Sequence, residues 1–372
     1  MKEFDSWINE VILSTDVFLS QLRKNSDQYM FYPNLKSTTS HGRKLNLGFS
    51  CYALKINYII GNTDNFTESD INKWSDYINS FQTKDTNFPE GSYVDTFYLN
   101  YFQKLNFVQN YKWQIKDLLY FIKLYKGETS NDFIFKSIIA ETKQAISTLL
   151  QVNSAQKFQY INNQLEESSL ERLLNELNWE NPWDAGAQFA NTAFFLQASS
   201  KENYKEKEIL INYIKKLVSQ NTGTYGVERQ ALSSALVNGS MKVLTGLDWL
   251  DSEIHNPEKL IDSSLSLKPS SEGCDLVDVV YVLYKCSLVT EHRKTEIREY
   301  LKLILGVIQK HYFDQGGFSY FKDSCQTHYY GVKIANKFKC PDLHGTILLI
   351  WAISMIDSFL KDGNSKFNIL KP

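Results

Sequence analysis

The stretch Ile308-Gln309-Lys310-His311-Tyr312-Phe313-Asp314-Gln315-Gly316-Gly317-Phe318-Ser319 ends a charged segment and leads into an apolar one. Two earlier stretches have the same order of a Gln, a turn containing Gly and an aromatic residue, from Gln82 to Tyr93 and from Gln220 to Tyr225. Glycine permits the positive φ with which many helices end. The three stretches therefore predict turns that follow one helix and precede the next.

The spacing of the three Gln residues indicates a repeat. Gln220 and Gln309 lie 89 residues apart, which is two units of about 45 residues, a length typical of stacked or closed helical arrays. Gln82 and Gln220 lie 138 residues apart, which leaves room for an additional segment. We place this helical insertion at residues 129–177, where two long amphipathic stretches interrupt the alternation described next.

Segments with helical periodicity are of two kinds, and they alternate along the chain. Amphipathic segments, which suit a surface, are Ser6–Arg23, Glu68–Phe81, Trp113–Tyr125, Asn203–Ser219 and Glu291–Gln309. Segments apolar nearly all round, which require burial, are Leu45–Tyr58, Ser92–Phe102, Asp184–Gln197, Ala231–Leu244, Asp275–Cys286 and Asp342–Ile356. Residues 1–372 are therefore predicted to form one all-α domain, an (α/α)6 barrel of six inner and about six outer helices. A helical bundle without a cavity is the alternative.

Composition excludes several classes of protein. The formal net charge is −2 with both signs spread along the chain, which argues against a nucleic-acid partner. We recognise no signal peptide, and no apolar run long enough to span a bilayer. The five cysteines are odd in number and contain no CxxC, so a reducing compartment and a cytoplasmic location are expected.

The Gln-Gly-aromatic repeat resembles that of the terpenoid cyclases and the β-subunits of protein prenyltransferases, which are α/α toroids. The resemblance extends over most of the chain at the level of repeats. It implies a central cavity and an isoprenoid-like substrate. Because prenyltransferase β-subunits act with a helical partner, it also implies a possible helical partner protein, with a homo-oligomer as the other possibility.

The resemblance also points to individual residues. Asp278 and His344 match two zinc ligands of the prenyltransferases, whereas Val280 stands where that family has its Cys ligand. The stretch Asp275-Leu276-Val277-Asp278 is similar to the Asp-x-Asp-Asp motif of class II terpene cyclases, with Val277 at the position of the proton-donating acid. Neither family site is therefore present in full.

Polar residues cluster at the starts of the predicted inner helices, where unpaired N–H groups and the helix dipole favour anions. Many of them also suit the ordinary role of a helix cap. Lys242 and Asp278 lie inside apolar helices, where an unpaired charge is costly, so they either pair with each other or with a neighbour, or serve function. The predicted catalytic residues are Asp278, His344, Asp184 and Asp275. The predicted substrate-binding residues are Lys242, Asn238, Asp95, Trp183, Tyr330 and Lys333.

Local spacing suggests a replacement zinc site. Cys274 lies four residues before Asp278, and Cys340 lies four before His344, so on extended helices each pair shares one face. Cys274, Asp278, Cys340 and His344 offer suitable chemistry for zinc. Pro341 argues against a helix that reaches Cys340, and inert buried cysteines are the commoner case.

The leading functional hypothesis is an enzyme of biosynthesis, a lyase or transferase, that acts on a small anionic or isoprenoid-like substrate. One alternative is a carbohydrate-active hydrolase, lyase or epimerase that uses Asp95 and Asp184 as paired carboxylates. The other is a non-catalytic binding or scaffold subunit. The sequence contains no P-loop, GxSxG, HExxH or EF-hand motif, which disfavours those classes.

Overall fold

The computed structural model describes residues 2–25, 27–84, 87–104, 107–124, 127–199, 202–227 and 231–372. Within them the chain is almost entirely helical, with two short antiparallel hairpins. The helices are α1 (Lys2–Leu22), α2 (Leu47–Ile59), α3 (Glu68–Asn79), α4 (Thr96–Lys104), α5 (Phe107–Phe121), α6 (Ser130–Gln151), α7 (Glu167–Asn175), α8 (Pro182–Ala198), α9 (Tyr204–Lys215), α10 (Ser234–Trp249), α11 (Pro257–Ser266), α12 (Gly273–Ser287), α13 (Lys294–Ile308) and α14 (Leu343–Leu360). The strands are β1 (Arg23–Lys24), β2 (Asp27–Phe31), β3 (His328–Tyr329) and β4 (Val332–Lys333).

Six helices form a closed inner ring. In order around the ring, α2, α6, α8, α10, α12 and α14 each pack against the next, and α14 packs back against α2. The close approach of α8 and α10 depends on Gly239, because a Cβ at this position would lie 2.6 Å from the carbonyl oxygen of Pro182. The predicted all-α toroid is confirmed.

Amphipathic helices sheathe the ring. α3 contacts α2, α9 contacts α8, α11 contacts α10 and α12, and α13 contacts α12 and α14. The apolar stripe of each faces inward, as Leu260 and Ile261 of α11 and Ile304 of α13 show by their complete burial. α1 lies at the seam where the ring closes, and its Ser14 hydrogen-bonds Tyr312 over 2.8 Å.

The three Gln-Gly-aromatic turns fix outer segments to the ring by the same hydrogen bond. In each, the aromatic residue is completely buried and its backbone N–H donates to a hydroxyl of an inner helix over 3.0 Å: Tyr93 to Thr142 of α6, Tyr225 to Ser240 of α10, and Phe318 to Thr346 of α14. The turn glycines adopt the positive φ expected, 69° at Gly223 and 84° at Gly316. The repeat recognised in the sequence is therefore a structural unit.

The first of these hydrogen bonds corrects one helix assignment. The sequence places Ser92–Phe102 in the inner ring and residues 129–177 outside it. In the structure, α6 lies within 129–177, receives the turn bond through Thr142 and packs between α2 and α8. The predicted apolar helix is α4, a shorter and partly exposed element that precedes α5. The elements interposed between the first turn and its ring helix are therefore α4 and α5.

α14 is the most apolar ring helix. It is long and apolar enough to cross a membrane by length and composition, contrary to the expectation from the sequence, but 83% of it is buried inside the protein. Its neighbours α12 and α2 cover it, as the ring requires. The cytoplasmic location stays a prediction.

The inner helices run in one direction, so the ring has a polar end, where they begin, and a far end, where they finish. The C-terminal tail, residues 363–372, crosses the far end. Asn368 donates its backbone N–H to Ile59 at the end of α2 and its side-chain N–H to Tyr58, both over 2.9 Å. Lys371 donates its backbone N–H to Gln151 of α6 over 3.2 Å. The tail therefore ties the ends of these ring helices together.

Candidate functional site

Polar and charged side chains of α10 and α12 meet toward the polar end. Asn238 of α10 donates to the Asp275 carboxylate of α12 over 2.6 Å. One turn further in, the Lys242 amine lies 3.8 Å from Asp278 Oδ1. Both contacts join residues at matching depths, so the two helices start at the same rim.

Asp278 is the most deeply buried acid of this group, with 1% of its surface exposed. Burial raises its pKa to about 6, against the lowering effect of Lys242, and Asp275 adds to the rise. Its second oxygen, Oδ2, has no hydrogen-bond partner within the described part of the chain. Asp278 therefore has a pKa close to neutral and one buried oxygen that is not satisfied by the described residues.

Lys242 is less enclosed than its partner, because a quarter of its side chain is exposed. Its amine lies 5.5 Å from the centre of the Trp183 ring, at the start of α8. The indole is itself nearly half exposed. The cation and the aromatic face thus stand side by side where a ligand entering from the polar end would meet them.

His344 lies in the first turn of α14, the ring helix next to α12, at the same end. Its ring stacks on Tyr52 of α2, with centroids 4.9 Å apart and an angle of 6° between the planes. Burial, aided by the charge of Lys242, lowers its pKa to about 3, so the imidazole is neutral at physiological pH. Its Nδ1 has no hydrogen-bond partner among the described residues. The neutral imidazole therefore resists protonation and offers Nδ1 for a hydrogen bond.

Cys274 and Tyr320 link His344 to Asp278. The Tyr320 hydroxyl donates to the Cys274 sulfur over 3.0 Å, and the Tyr320 ring lies 5.2 Å from that of His344. Burial raises the pKa of Cys274 to about 11, and the charge of Asp278 contributes to this rise. Cys274 is therefore a neutral thiol and an acceptor for tyrosine.

Two inward-facing lysines were missed in the sequence. Burial, followed by the charges of Lys242 and Lys55, lowers the pKa of Lys143 on α6 to about 7. Burial lowers the pKa of Lys55 on α2 to about 8, and its amine donates to Ser147 over 2.9 Å. Lys55 carries the signal that singled out Lys242, a charge within an apolar helix. Lys143 was overlooked because its helix was assigned to the insertion.

A further buried acid, Glu141, also escaped the sequence analysis. It lies on α6 and accepts a hydrogen bond from the Tyr329 hydroxyl. Burial raises its pKa to about 8, so it is largely protonated at neutral pH. Tyr330, the residue after Tyr329, has a backbone φ of 41°, in the left-handed region, at the tip of the β3–β4 hairpin.

Several predicted site residues have local structural contacts. Asp95 accepts from the backbone N–H groups of Asn46 and Leu47, over 2.8 and 3.3 Å, and so caps the start of α2. Asp184 pairs with Lys136 over 3.1 Å, and its side chain is one-third exposed. Lys333 is exposed on β4. The catalytic and binding roles of Asp184, Asp275, Asn238, Trp183, Tyr330 and Lys333 stay predictions.

The proposed zinc ligands do not come together. Across the described ranges, no three His, Cys, Asp or Glu side chains are grouped as a metal site. Cys340 lies outside α14 and forms a thiol–thiol hydrogen bond with Cys325. Val280 is buried where the prenyltransferase resemblance requires a thiolate. The residues present do not fit the zinc site of that family. The prediction that Cys340 joins Cys274, Asp278 and His344 is wrong, because Cys340 lies next to Cys325 instead.

Comparison with known proteins supports the fold. No family model matches the chain, and no curated protein matches it either. A solved structure similar to it is Candida albicans protein geranylgeranyltransferase-I complexed with GGPP, with a TM-score of 0.55 over 96% of this chain and 93% of that chain. The two sequences are 13% identical, so the likeness shows the fold alone. It agrees with the predicted toroid at the level of the fold.

Proposed function

We propose that the protein is an enzyme that binds a small anionic, isoprenoid-like substrate at the polar end of the ring and uses Asp278 as its proton donor. The observation that carries this proposal is the set of three inward lysines, Lys55, Lys143 and Lys242. Within the described residues, Lys143 forms no ion pair with a carboxylate, and Lys242 reaches one only at 3.8 Å.

Electrostatics favours an anionic ligand at this place. Like charges brought together away from water destabilise one another, which is why the pKa of Lys143 is depressed by Lys242 and Lys55. A bound anion would reverse this effect and be held by charge-assisted hydrogen bonds. Lys143 and Lys242 therefore serve as the anion clamp in our proposal.

Binding of an anion also prepares the acid. A negative charge near Asp278 disfavours its ionised form and draws Lys242 away from it, so both effects raise its pKa above 6. Asp278 is then protonated in the complex and can deliver a proton through Oδ2. His344 would act as the base only with an anion bound, because a nearby negative charge raises its pKa from about 3 and so favours protonation.

An isoprenoid-like chain suits the other groups at this end. Aromatic rings of Tyr52, Tyr320 and Trp183 surround the charged cluster and offer apolar faces to a hydrocarbon. The similar solved structure is described as a complex with GGPP, and we extend that substrate class to this chain as a proposal. Lyase or transferase chemistry is expected from proton delivery beside an anionic leaving group.

The test is calorimetric titration with inorganic diphosphate, geranyl diphosphate and glucuronic acid. We expect both diphosphates to bind the wild-type protein. Lys143→Met or Lys242→Met should weaken the affinity for both by at least about tenfold, since each substitution removes a charge-assisted hydrogen bond. Lys285→Met is the matched control, because Lys285 is a ring lysine that pairs with Asp248 over 2.7 Å at the far end.

Three outcomes would count against the proposal. Binding of glucuronic acid alone would favour the carbohydrate-active alternative. Equal weakening by Lys285→Met would show that the effect is not local to the polar end. Binding of none of the three compounds would leave the scaffold hypothesis as the best account of the chain.

A further inference from the structure

α5 and the turn after it expose an unusual amount of apolar surface. Its large side chains form what we call the α5 patch, and Phe121 and Leu124 are 83% and 76% exposed. The patch consists of Ile115, Leu118, Phe121, Ile122 and Leu124. Ile115, Leu118 and Phe121 follow one another at three-residue intervals, so they share one face of the helix. Contiguous apolar surface of this kind marks an interaction site.

Lysines flank the patch. Lys112 and Lys123 are exposed, and the Lys116 amine lies 4.4 Å from the centre of the Trp113 ring. None of these three lysines forms an ion pair with a carboxylate in the part of the chain that the structure describes. Residues 107–124 contain a single acid, Asp117, against the three lysines.

Asp117 does not neutralise these lysines. Its two oxygens accept hydrogen bonds from Ser130, from the backbone N–H over 2.8 Å and from the hydroxyl over 2.5 Å. It therefore serves to hold α5 against the start of α6. The α5 segment is basic although the whole chain carries a formal charge of −2.

The patch lies on the side of the polar end. Trp113 of α5 packs on Phe133 of α6, with ring centroids 5.0 Å apart, and Phe133 in turn contacts Phe102 of α4 over 6.1 Å. Both Phe rings also border Gly331 in the β3–β4 hairpin, next to Tyr330. One layer of aromatic rings thus separates α5 from the hairpin beside the candidate site.

We propose that the α5 patch docks the protein on an anionic lipid bilayer. An amphipathic helix with large apolar side chains on one face and lysines at its border lies in the plane of the membrane interface, with its apolar face below the headgroups. The lysine stems extend along the apolar surface while their amines reach the lipid phosphates. The unpaired positive charge favours such a surface over a second copy of this acidic chain. This inference does not depend on the proposed function.

The test is flotation of the full chain with vesicles of phosphatidylcholine alone or mixed with phosphatidylglycerol. We expect binding to the mixed vesicles that weakens as salt is raised, because the phosphate attraction is screened. Leu118→Glu with Phe121→Glu should reduce the bound fraction by about tenfold or more, since both the apolar area and the charge complementarity are lost. A triple variant with Lys112→Gln, Lys116→Gln and Lys123→Gln should lose the preference for vesicles that contain phosphatidylglycerol.

A matched control is Leu13→Glu with Val17→Glu, which changes two exposed apolar residues of α1, 71% and 53% exposed, away from the patch. This variant should float like the wild type, and all variants should keep the wild-type melting temperature. Failure of the wild type to float with mixed vesicles would overturn the inference. So would a concentration-dependent dimer that Phe121→Glu abolishes, in the absence of vesicle binding, because the patch would then belong to a second copy.

Discussion

At the scale of single residues, charges inside apolar helices were the most informative signal. The sequence indicated that Lys242 and Asp278 either pair or function, and the structure confirms that they pair across α10 and α12. The same reasoning applied to Lys55 would have added it to the candidate site. Glu141 and Lys143 could not be predicted as site residues, because their burial in the ring depends on the assignment of α6 to it. Sequence position alone could not distinguish the cap Asp95 from a ligand.

Replacing Asp278 by Asn is expected to stabilise the protein at neutral pH. The unfolded chain has the ordinary pKa of 3.8 and the folded state about 6, so between these values the folded state binds more protons. Wild-type stability therefore falls as pH rises from about 4 to 6 and stays lower above that range. The shift corresponds to about 3 kcal/mol, which Asp278→Asn should recover at pH 7.

Urea unfolding of both proteins at pH 4 and pH 7 measures this effect. The difference between variant and wild type should be large at pH 7 and small at pH 4. Asp323→Asn, at an exposed residue, serves as the control and should show neither change. A variant less stable than the wild type at pH 7 would show that the Lys242 pair outweighs the burial of the carboxylate.

Lys143→Met is expected to be more stable but defective in binding. The pKa of Lys143 falls from 10.5 to about 7 on folding, so the unfolded chain binds more protons between these values. Wild-type stability should therefore rise with pH from 7 to 10.5, and the Met variant should lack this rise. Thermal melts across this range measure it, with Lys302→Met on the exposed face of α13 as control. Equal pH dependence in the variant would show that a group other than Lys143 causes the rise in stability.

At the scale of elements, the sequence predicted five of the ring helices and misassigned the sixth. α6 carries the buried charged residues Glu141 and Lys143, so its pattern is that of an amphipathic surface helix, although it belongs to the ring. A ring helix that lines a polar site loses the all-round apolar character used to recognise it. α4 looked like a ring helix because its aromatic residues pack on Phe133 and its neighbours.

The turn hydrogen bond is expected to contribute measurably to stability. Thr346→Val removes the hydroxyl that accepts from the Phe318 N–H and leaves this fully buried donor without its partner. An unsatisfied buried donor costs about 1 to 3 kcal/mol, so the free energy of unfolding should fall by that amount. Thr346→Ser keeps the hydroxyl and should lose less. A larger loss in the Ser variant than in the Val variant would show that packing of the methyl group, which Val keeps and Ser lacks, contributes more than the bond.

At the scale of the whole molecule, the ring is asymmetric. Carboxyl groups and a neutral histidine lie toward its polar end, the lysines lie deeper within the ring, and the C-terminal tail crosses its far end. Fold-level recognition from the repeat was possible because the Gln-Gly-aromatic turns mark every second hairpin. The chemistry could not be recognised, because Val277 and Val280 stand where the two resembled families have their reactive groups, and because the candidate site includes residues of α2 and α6.

Removal of residues 367–372 is expected to loosen the far end and leave the polar end intact. The deletion removes the contacts of Asn368 with α2 and of Lys371 with α6, so the ends of those helices should exchange amide hydrogens faster. Hydrogen exchange followed by mass spectrometry measures this by segment. Faster exchange at the starts of α10 and α12 as well would show that the two ends are not independent.

The central claim is that the polar end of the ring binds an anion between Lys143 and Lys242. A high-resolution crystal structure after soaking with diphosphate, with geranyl diphosphate and with glucuronic acid tests it most directly. We expect phosphate oxygens within hydrogen-bonding distance of both lysine amines, Asp278 next to the bound group, and no such density in Lys143→Met crystals soaked in the same way. Diphosphate density elsewhere, or clear density for none of the three at this end, would contradict the claim.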